Sequence, residues 1–274
     1  MIEQYPGSLH NHTDYSNIKF KDAISTTKGL IDKAIELGQS VVAFTEHDCI
    51  CNAVKIEKYY NEIKKTHADF KVIRGNEIYL CRNEIAPENF ETGRDKFYHF
   101  VLLAKDAEGY KQIRQLSTRA WNRSFVFNGL RRIPTYYSDL EEIIGANPGH
   151  VVGSTACLGS AIGTQLLRYR IEQNEDIYRQ ILNWCKYLEN IFGKDNFFLE
   201  LQPSATFEQE YVNKQLLSIS KQLNIPYIIT TDTHYLNKSD RGVHEAYLKS
   251  QSAEREVGDF YRTTYMMNTQ EIEG

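Results

Sequence analysis

The sequence has 274 residues, with 32 basic against 36 acidic side chains, a formal net charge of −4, 41% hydrophobic residues and 25% charged ones. These values belong to a folded globular chain: disorder needs fewer apolar residues and more net charge, and strong nucleic-acid binders usually show a basic balance that is missing here. No run approaches the ~18 apolar residues of a membrane span, and the opening MIEQYPGSLHNHT lacks the basic start and apolar centre of a secretory signal.

In chain order, Ser8–His12 is the first short strand candidate. An amphipathic helix over Thr27–Leu37 stops at Gly38, a residue suited to a helix C-terminus. Strand Val41–Thr45 and a helical stretch over 50–66 follow, then strands Lys71–Arg74 and Tyr98–Ala104 and a helix over 106–124. Strand His150–Ser154, a helix over 173–192, strand Phe197–Leu201, a helix over 207–223 and strand Tyr227–Thr231 complete the series. Near-continuous apolar strands alternating with helices predict a parallel sheet covered on both faces. With no break in composition, residues 1–274 read as one domain, a closed α/β barrel rather than a doubly wound open sheet. The glycine fingerprint of dinucleotide folds and the Walker A pattern are both absent from the sequence.

The polar residues at the strand ends carry the chemistry. His10 and His12 lie two apart, a spacing that puts both imidazoles on one face of a strand. Alone the pair is weak evidence for metal, but similar residues recur. VVAFT runs into Glu46-His47-Asp48, KVIR into Gly75-Asn76-Glu77, HVVGS into Cys157, and YIIT into Asp232-Thr233-His234, while His99 stands at the start of its strand. In an α/β barrel the C-terminal strand ends converge on one mouth. A cluster of imidazoles, carboxylates and a thiolate there predicts a metal centre suited to Zn²⁺, Fe or Mn.

Taken together, His10-x-His12-Thr13-x-Tyr15-Ser16, Thr45-Glu46-His47, Gly75-x-Glu77, Tyr98-His99, Ala156-Cys157-Leu158-Gly159 and Thr231-Asp232-x-His234-Tyr235 resemble the polymerase-and-histidinol-phosphatase (PHP) domain, in the version found at the start of bacterial DNA polymerase III α subunits. The resemblance covers about residues 8–270. It implies a distorted (βα)7 TIM-like barrel with a metal site at the C-terminal mouth of its strands, and a centre of three divalent ions, Zn²⁺ first and Mn or Fe as alternatives. By motif, His10, His12 and Asp232 would hold one ion. Glu77 would bridge it to a second held by His99 and Cys157, and His47, His234 and an acidic residue after the first motif would hold the third. That residue is Asp22 or, alternatively, Asp14. The family places it closer to the first motif and before a glycine, whereas here the spacing is longer and Ala23 follows. Glu46, where the family usually has Asp, is expected to orient an imidazole.

The resemblance further implies hydrolysis of a phosphoester by water activated at the ions. The first expectation is a hydrolase acting as a 3′→5′ exonuclease, a proofreading module of a polymerase III α-type protein, with single-stranded DNA 3′ ends or another phosphoester as partner. The alternatives are a small-molecule phosphatase of histidinol-phosphatase type and a non-catalytic domain that steadies a polymerase. In longer relatives about residues 236–274 would lead into the polymerase. Polymerase domains and replication proteins are the expected macromolecular partners, with no membrane.

Other features are weighed individually. Asp48 could relay a proton, but it reads better as the N-cap of the following helix. Arg119 to Phe127, leading to Arg131 and Arg132 after Gly129, has the arginine–aromatic composition of a nucleic-acid contact. It reads equally as helix core and solvated loop, with Arg131 and Arg132 the better substrate candidates. His67, His150 and His244 read as ordinary surface or helix residues. The five cysteines (Cys49, Cys51, Cys81, Cys157, Cys185) are an odd number without CxxC, as expected of reduced thiols in a cytoplasm. Cys81 and Cys185 read as buried filler.

Overall fold

A computed structural model describes residues 4–81, 88, 90–91, 96–203, 205–251 and 257–273. Among these, β1 (Val41–Phe44), β2 (Lys71–Cys81), β3 (Tyr98–Ala104), β4 (Phe125–Phe127), β5 (Leu130–Arg132), β6 (Pro134–Tyr136), β7 (Val151–Ser154), β8 (Phe197–Leu201) and β9 (Tyr227–Ile229) are the strands. The α-helices are α1 (Thr27–Glu36), α2 (Ala53–Ile63), α3 (Ala107–Asn122), α4 (Tyr137–Leu140), α5 (Ala161–Glu172), α6 (Glu175–Phe192), α7 (Phe207–Leu223), α8 (Arg241–Lys249) and α9 (Thr269–Glu273). Thr26, Asp106 and Thr206 open α1, α3 and α7, each side chain accepting a backbone N–H of the first turn.

The main sheet has seven strands in the order β1-β2-β3-β7-β8-β9, with β6 beside the far end of β2. It is mixed, not parallel: β1, β6, β8 and β9 pair in parallel, but β3 is antiparallel to both β2 and β7. The expected all-parallel sheet fails at β3 for a local reason. β2 does not stop at Arg74 but runs on to Cys81, and β3 returns alongside it with no crossover helix among the described residues between them. This reversal puts the N-terminal end of β3, with His99, at the same end of the sheet as the C-terminal ends of its neighbours.

Ser8–His12 does not form a regular strand, which corrects the first expected element. It lies between the two sheet edges: Ser8 and Asn11 carbonyls accept Ala43 N–H (3.2 Å) and Thr45 N–H (3.1 Å), while His12 N–H reaches Thr233 O at 2.8 Å. The Asn11 amide donates to Ser8 O and Ala43 O, both at 2.8 Å, taking over bonds a ladder would make. The sheet thus curls until its edges meet through this segment, and the seventh ladder strand is β6, which the sequence alone did not mark, nor did it mark α5 or the β4–β5 hairpin; α8 covers the helix-like stretch around His244.

Strand alternation divides the two faces. Ile78, Leu80, Phe100, Leu102, Phe197 and Leu199 join a large core with Ile113 and Leu116 of α3, Leu166 of α5, Leu188 and Phe192 of α6 and Leu216 of α7. Val101 and Leu103 pack on the opposite face with Ala43 and Ala156, the face that also carries Glu77, Tyr79 and His99 by the two-residue period. A second core joins Leu30, Ile31 and Ala34 of α1 to Val42 and Phe44 of β1. No described helix is long and apolar enough to cross a membrane.

Candidate metal centre

The inner face of the sheet ends in a compact polar cluster. Glu77 is its hub. Its two carboxylate oxygens lie 3.4 Å from His10 Nε2, 3.3 Å from His12 Nε2, 2.6 Å from His47 Nδ1 and 2.9 Å from His99 Nδ1. Asp232 Oδ1 lies 3.2 Å from His10 Nε2 and 3.1 Å from His12 Nε2. Asp22 Oδ2 stands between His47 Nε2 (2.8 Å) and His234 Nε2 (3.1 Å). Cys157 Sγ is 3.5 Å from His99 Nδ1. All nine residues named by motif therefore meet in one place. Asp14 does not: it is exposed in a single helical turn, so Asp22 occupies the position next to His47 and His234.

Partners behind the imidazoles fix which ring nitrogen faces the cluster. His10 Nδ1 donates to Glu200 Oε1 (2.7 Å), and His234 Nδ1 to the Asp232 carbonyl (2.7 Å). His12 Nδ1 donates to Ser16 Oγ (2.9 Å), whose hydroxyl is passed on to Glu46 Oε2 (2.6 Å). Each Nδ1 is thereby committed, and each Nε2 is the nitrogen that faces inward. Glu46 also accepts from Thr13 and Asn52, so it orients His12 through Ser16. Asp232 and Ala156 adopt left-handed backbone (φ 47° and 54°), which turns the chain sharply beside Asp232 and Cys157. Gly159 packs closely under the His99 ring: a Cβ there would lie 3.2 Å from it, a tight contact that would press on the ring.

The electrostatics follow from burying this much charge. Burial alone would strip protons from His10, His47, His99 and His234, but the surrounding Glu77, Asp22, Asp232 and Glu200 carboxylates outweigh it and raise all four, His47 to about 9. His12 goes the other way, to about 3, through burial and the neighbouring His47. Burial opposes ionisation of Glu77, Asp22 and Asp232, yet the imidazoles hold all three below the usual carboxylate range. Burial pushes the Cys157 thiol well up.

The donor set fits divalent ions on one internal observation. Among the described residues His47 Nδ1, Glu77 Oε2 and Asp232 Oδ1 are buried and have no hydrogen-bond partner, although opposing atoms lie as close as 2.6 Å. Leaving a buried polar atom unsatisfied costs about 1–3 kcal/mol, and a cation at this point would satisfy all three once His47 gives up its proton. Three groupings place ligand atoms within 4.8 Å of one another: His12, His47 and His234; His10, His12 and Glu77; His47, Glu77 and His99.

Other readings change in the structure. Asp48 does not cap α2, whose N-cap is Asn52; it accepts the Tyr79 N–H (3.1 Å) and pairs with Lys19. The aromatic residues of the 119–132 segment are structural. Trp121 Nε1 holds the Asp48 carbonyl at 2.7 Å, and Phe125 and Phe127 pack with Cys81 and Phe90. Arg119 is paired with Asp139 and Glu142, and Arg123 bridges both oxygens of Asp139 at 2.7 and 2.9 Å. Arg131 and Arg132 stand on a hairpin whose turn, Asn128-Gly129, has both residues left-handed (φ 49° and 74°). That Asn-Gly pair was the missed sequence signal. His244 is buried and bonds Asp22 O at 2.6 Å, while Tyr261 donates to Asp22 Oδ1 at 3.0 Å. Neither is marked by a strand end, and Glu200 shows only as a carboxylate inside an apolar run. His67 is exposed, His150 pairs with Asp106, and Cys81 and Cys185 are core residues.

A family model for the PHP domain matches residues 8–204. A DNA-directed DNA polymerase of Bacillus phage SPbeta is 38% identical over 277 residues, covering 96% of this chain and 21% of that protein. DNA polymerase III subunit alpha of Borreliella burgdorferi is 32% identical, with 85% of this chain and 18% of that protein covered, and that of Aquifex aeolicus 31%, with 86% and 19%. The chain thus spans about a fifth of the length of these relatives.

Proposed function

The chain belongs to the PHP domain family, and on that premise we propose that it is a metal-dependent phosphoesterase, the 3′→5′ exonuclease module of a DNA polymerase III α-type protein, acting on single-stranded 3′ ends. The observation that carries this reading is Glu77: one buried carboxylate within 3.4 Å of four imidazole nitrogens, with an oxygen left unsatisfied. A carboxylate so placed suits bridging of two cations, and a nine-residue set without a missing member suits turnover better than an inert remnant.

His10, His12 and Asp232 are proposed to hold one ion, His99 and Cys157 the second with Glu77 between them, and His47, His234 and Asp22 the third. When bound, such ions polarise a phosphoryl group and make a bound water acidic near neutral pH. The chain's own contribution is orientation. Glu200, Ser16 with Glu46, and the Asp232 carbonyl fix three imidazoles in the tautomer that faces inward. Arg132 and Arg131 on the hairpin are proposed to meet the phosphates of a bound strand.

The test is elemental analysis of chain purified without chelator, followed by digestion of a 3′-labelled single-stranded oligonucleotide. About three metals per chain and stepwise loss from the 3′ end are expected. Metal without nuclease activity would move the reading to a small-molecule phosphatase, and no metal after addition of Zn²⁺ or Mn²⁺ would make the domain structural.

A further inference from the structure

The stretch between Ser16 and Asp22 is a built loop. The Asn17 side chain closes it, donating to Ala23 O at 2.8 Å and accepting from the N–H groups of Asp22 (2.8 Å) and Ala23 (3.0 Å). Lys21 ties it outward to Gln251 and Ser250 at the end of α8. It turns two side chains inward. Asp22 meets His47 and His234, and Lys19 is carried to Asp48 and the Tyr79 ring.

There the Lys19 side chain is only 10% exposed. Its ammonium lies 3.7 Å from the centroid of the Tyr79 ring and is paired with Asp48. Tyr79 is two residues beyond Glu77 on the same face of β2, and its ring packs 4.6 Å from that of His99 and 5.7 Å from that of His47. Among the described residues the Tyr79 hydroxyl has no hydrogen-bond partner, and Asp48 is the one hydrogen-bond acceptor for Lys19, which has three N–H bonds to give. A buried lysine with spare donors and a phenol with an unused one thus flank the His47–His99 side of the cluster. A structural ion pair for Asp48 alone would need neither the tyrosine hydroxyl nor the ammonium's position over its ring.

We propose that Lys19 and Tyr79 form the subsite that grips the non-bridging oxygens of a phosphoester at this centre, an anion site delivered by the loop between Ser16 and Asp22. This rests on the phosphoesterase reading for its substrate class, but the anion site can be tested separately.

The experiment uses the Mn²⁺-loaded chain with two probes: orthophosphate binding by calorimetry, and hydrolysis of bis(p-nitrophenyl) phosphate. Lys19→Met is expected to weaken orthophosphate binding and raise KM about tenfold to a hundredfold, with metal content by elemental analysis unchanged. Lys19→Arg should recover most of the loss. Lys19→Met combined with Asp48→Asn removes the pair without stranding a buried carboxylate. It should stay as weak as Lys19→Met, and recovery to wild-type binding would overturn the proposal by showing that Lys19 serves only Asp48. Should Lys19→Met fail to fold, Tyr79→Phe decides. It removes a hydroxyl that bonds nothing among the described residues, so the fold is expected to be spared, and orthophosphate affinity should fall about tenfold. Wild-type binding in Tyr79→Phe would also overturn the proposal. Hydrolysis by wild type with both variants unaltered leaves the phosphoesterase reading standing and this subsite refuted. Phosphate binding that depends on Lys19, without hydrolysis, does the reverse.

Discussion

The strand-end cluster and the arginine–aromatic segment 119–132 are both rich in charged side chains, and each suggests chemistry from its composition. They differ in what their polar atoms touch. Asp139 accepts from Arg119, Arg123 and the Tyr136 N–H, and the nearby aromatics are packed or, for Trp121, bonded to backbone. Around Asp139 that region is satisfied by itself, although Arg132 Nε on the hairpin is buried without a partner among the described residues. The cluster instead leaves Glu77 Oε2, His47 Nδ1 and Asp232 Oδ1 buried without partners. Such atoms also occur singly elsewhere, at Gln39, Gln112 and Gln209 for example; several of them converging on one buried place, more than charge content, mark where a ligand belongs.

The largest effect expected from breaking this contrast is at its hub. Glu77→Gln keeps the shape and removes the charge shared by four imidazoles. Bound metal should be lost and phosphoester hydrolysis should fall by roughly a thousandfold, several kcal/mol of transition-state stabilisation. Unchanged metal content by elemental analysis would remove the distinction. Glu200→Gln acts one step back, through His10 Nδ1. Metal affinity measured by competition with a chelator should fall about 10–100-fold with the fold intact.

Acidity sharpens the contrast further. Because His47 is raised to about 9, it carries a proton at neutral pH in the metal-free chain and must release it to bind an ion. Metal affinity should climb as pH rises, up to about tenfold per unit for this one proton, and flatten above 9. Without metal the sign reverses. The His47 contribution to stability is full below the ordinary value of 6.5 and fades as pH passes 9. Calorimetric proton release on metal addition at pH 7 and at pH 10 separates the two.

In the self-satisfied region, Arg123→Ala should cost about 2–3 kcal/mol in urea denaturation, because Asp139 is left buried with a weaker partner, while metal content stays at the wild-type value. The smallest effect is Arg131→Ala on the exposed hairpin. The salt dependence of single-stranded DNA binding should lose about 0.7 from its slope, one phosphate contact, with stability within about 0.5 kcal/mol.

Much of the molecule is legible along the chain. β3 and β8 keep their expected bounds, β1 and β7 fall within a residue of theirs, and the helices beginning at Thr27, Ala107, Glu175 and Phe207 match their periodic stretches. Local periodicity and capping residues act over a few neighbours, so the sequence displays them. The pairs His10/His12 and Asp232/His234 were visible for the same reason, since a spacing of two in extended chain puts both on one side. What tertiary structure alone decided lies in the long-range pairings. The reversed direction of β3 depends on how far β2 extends, and the closing of the sheet depends on hydrogen bonds between residues 8–12 and two distant edges. Asp22 rather than Asp14 faces His47 because Asn17 folds the loop back on itself. Glu200, His244 and Tyr261 reach the cluster from elements with no local mark of it. A hydrogen bond across two hundred residues is set by the folded chain's geometry, not by any pattern within a window of sequence.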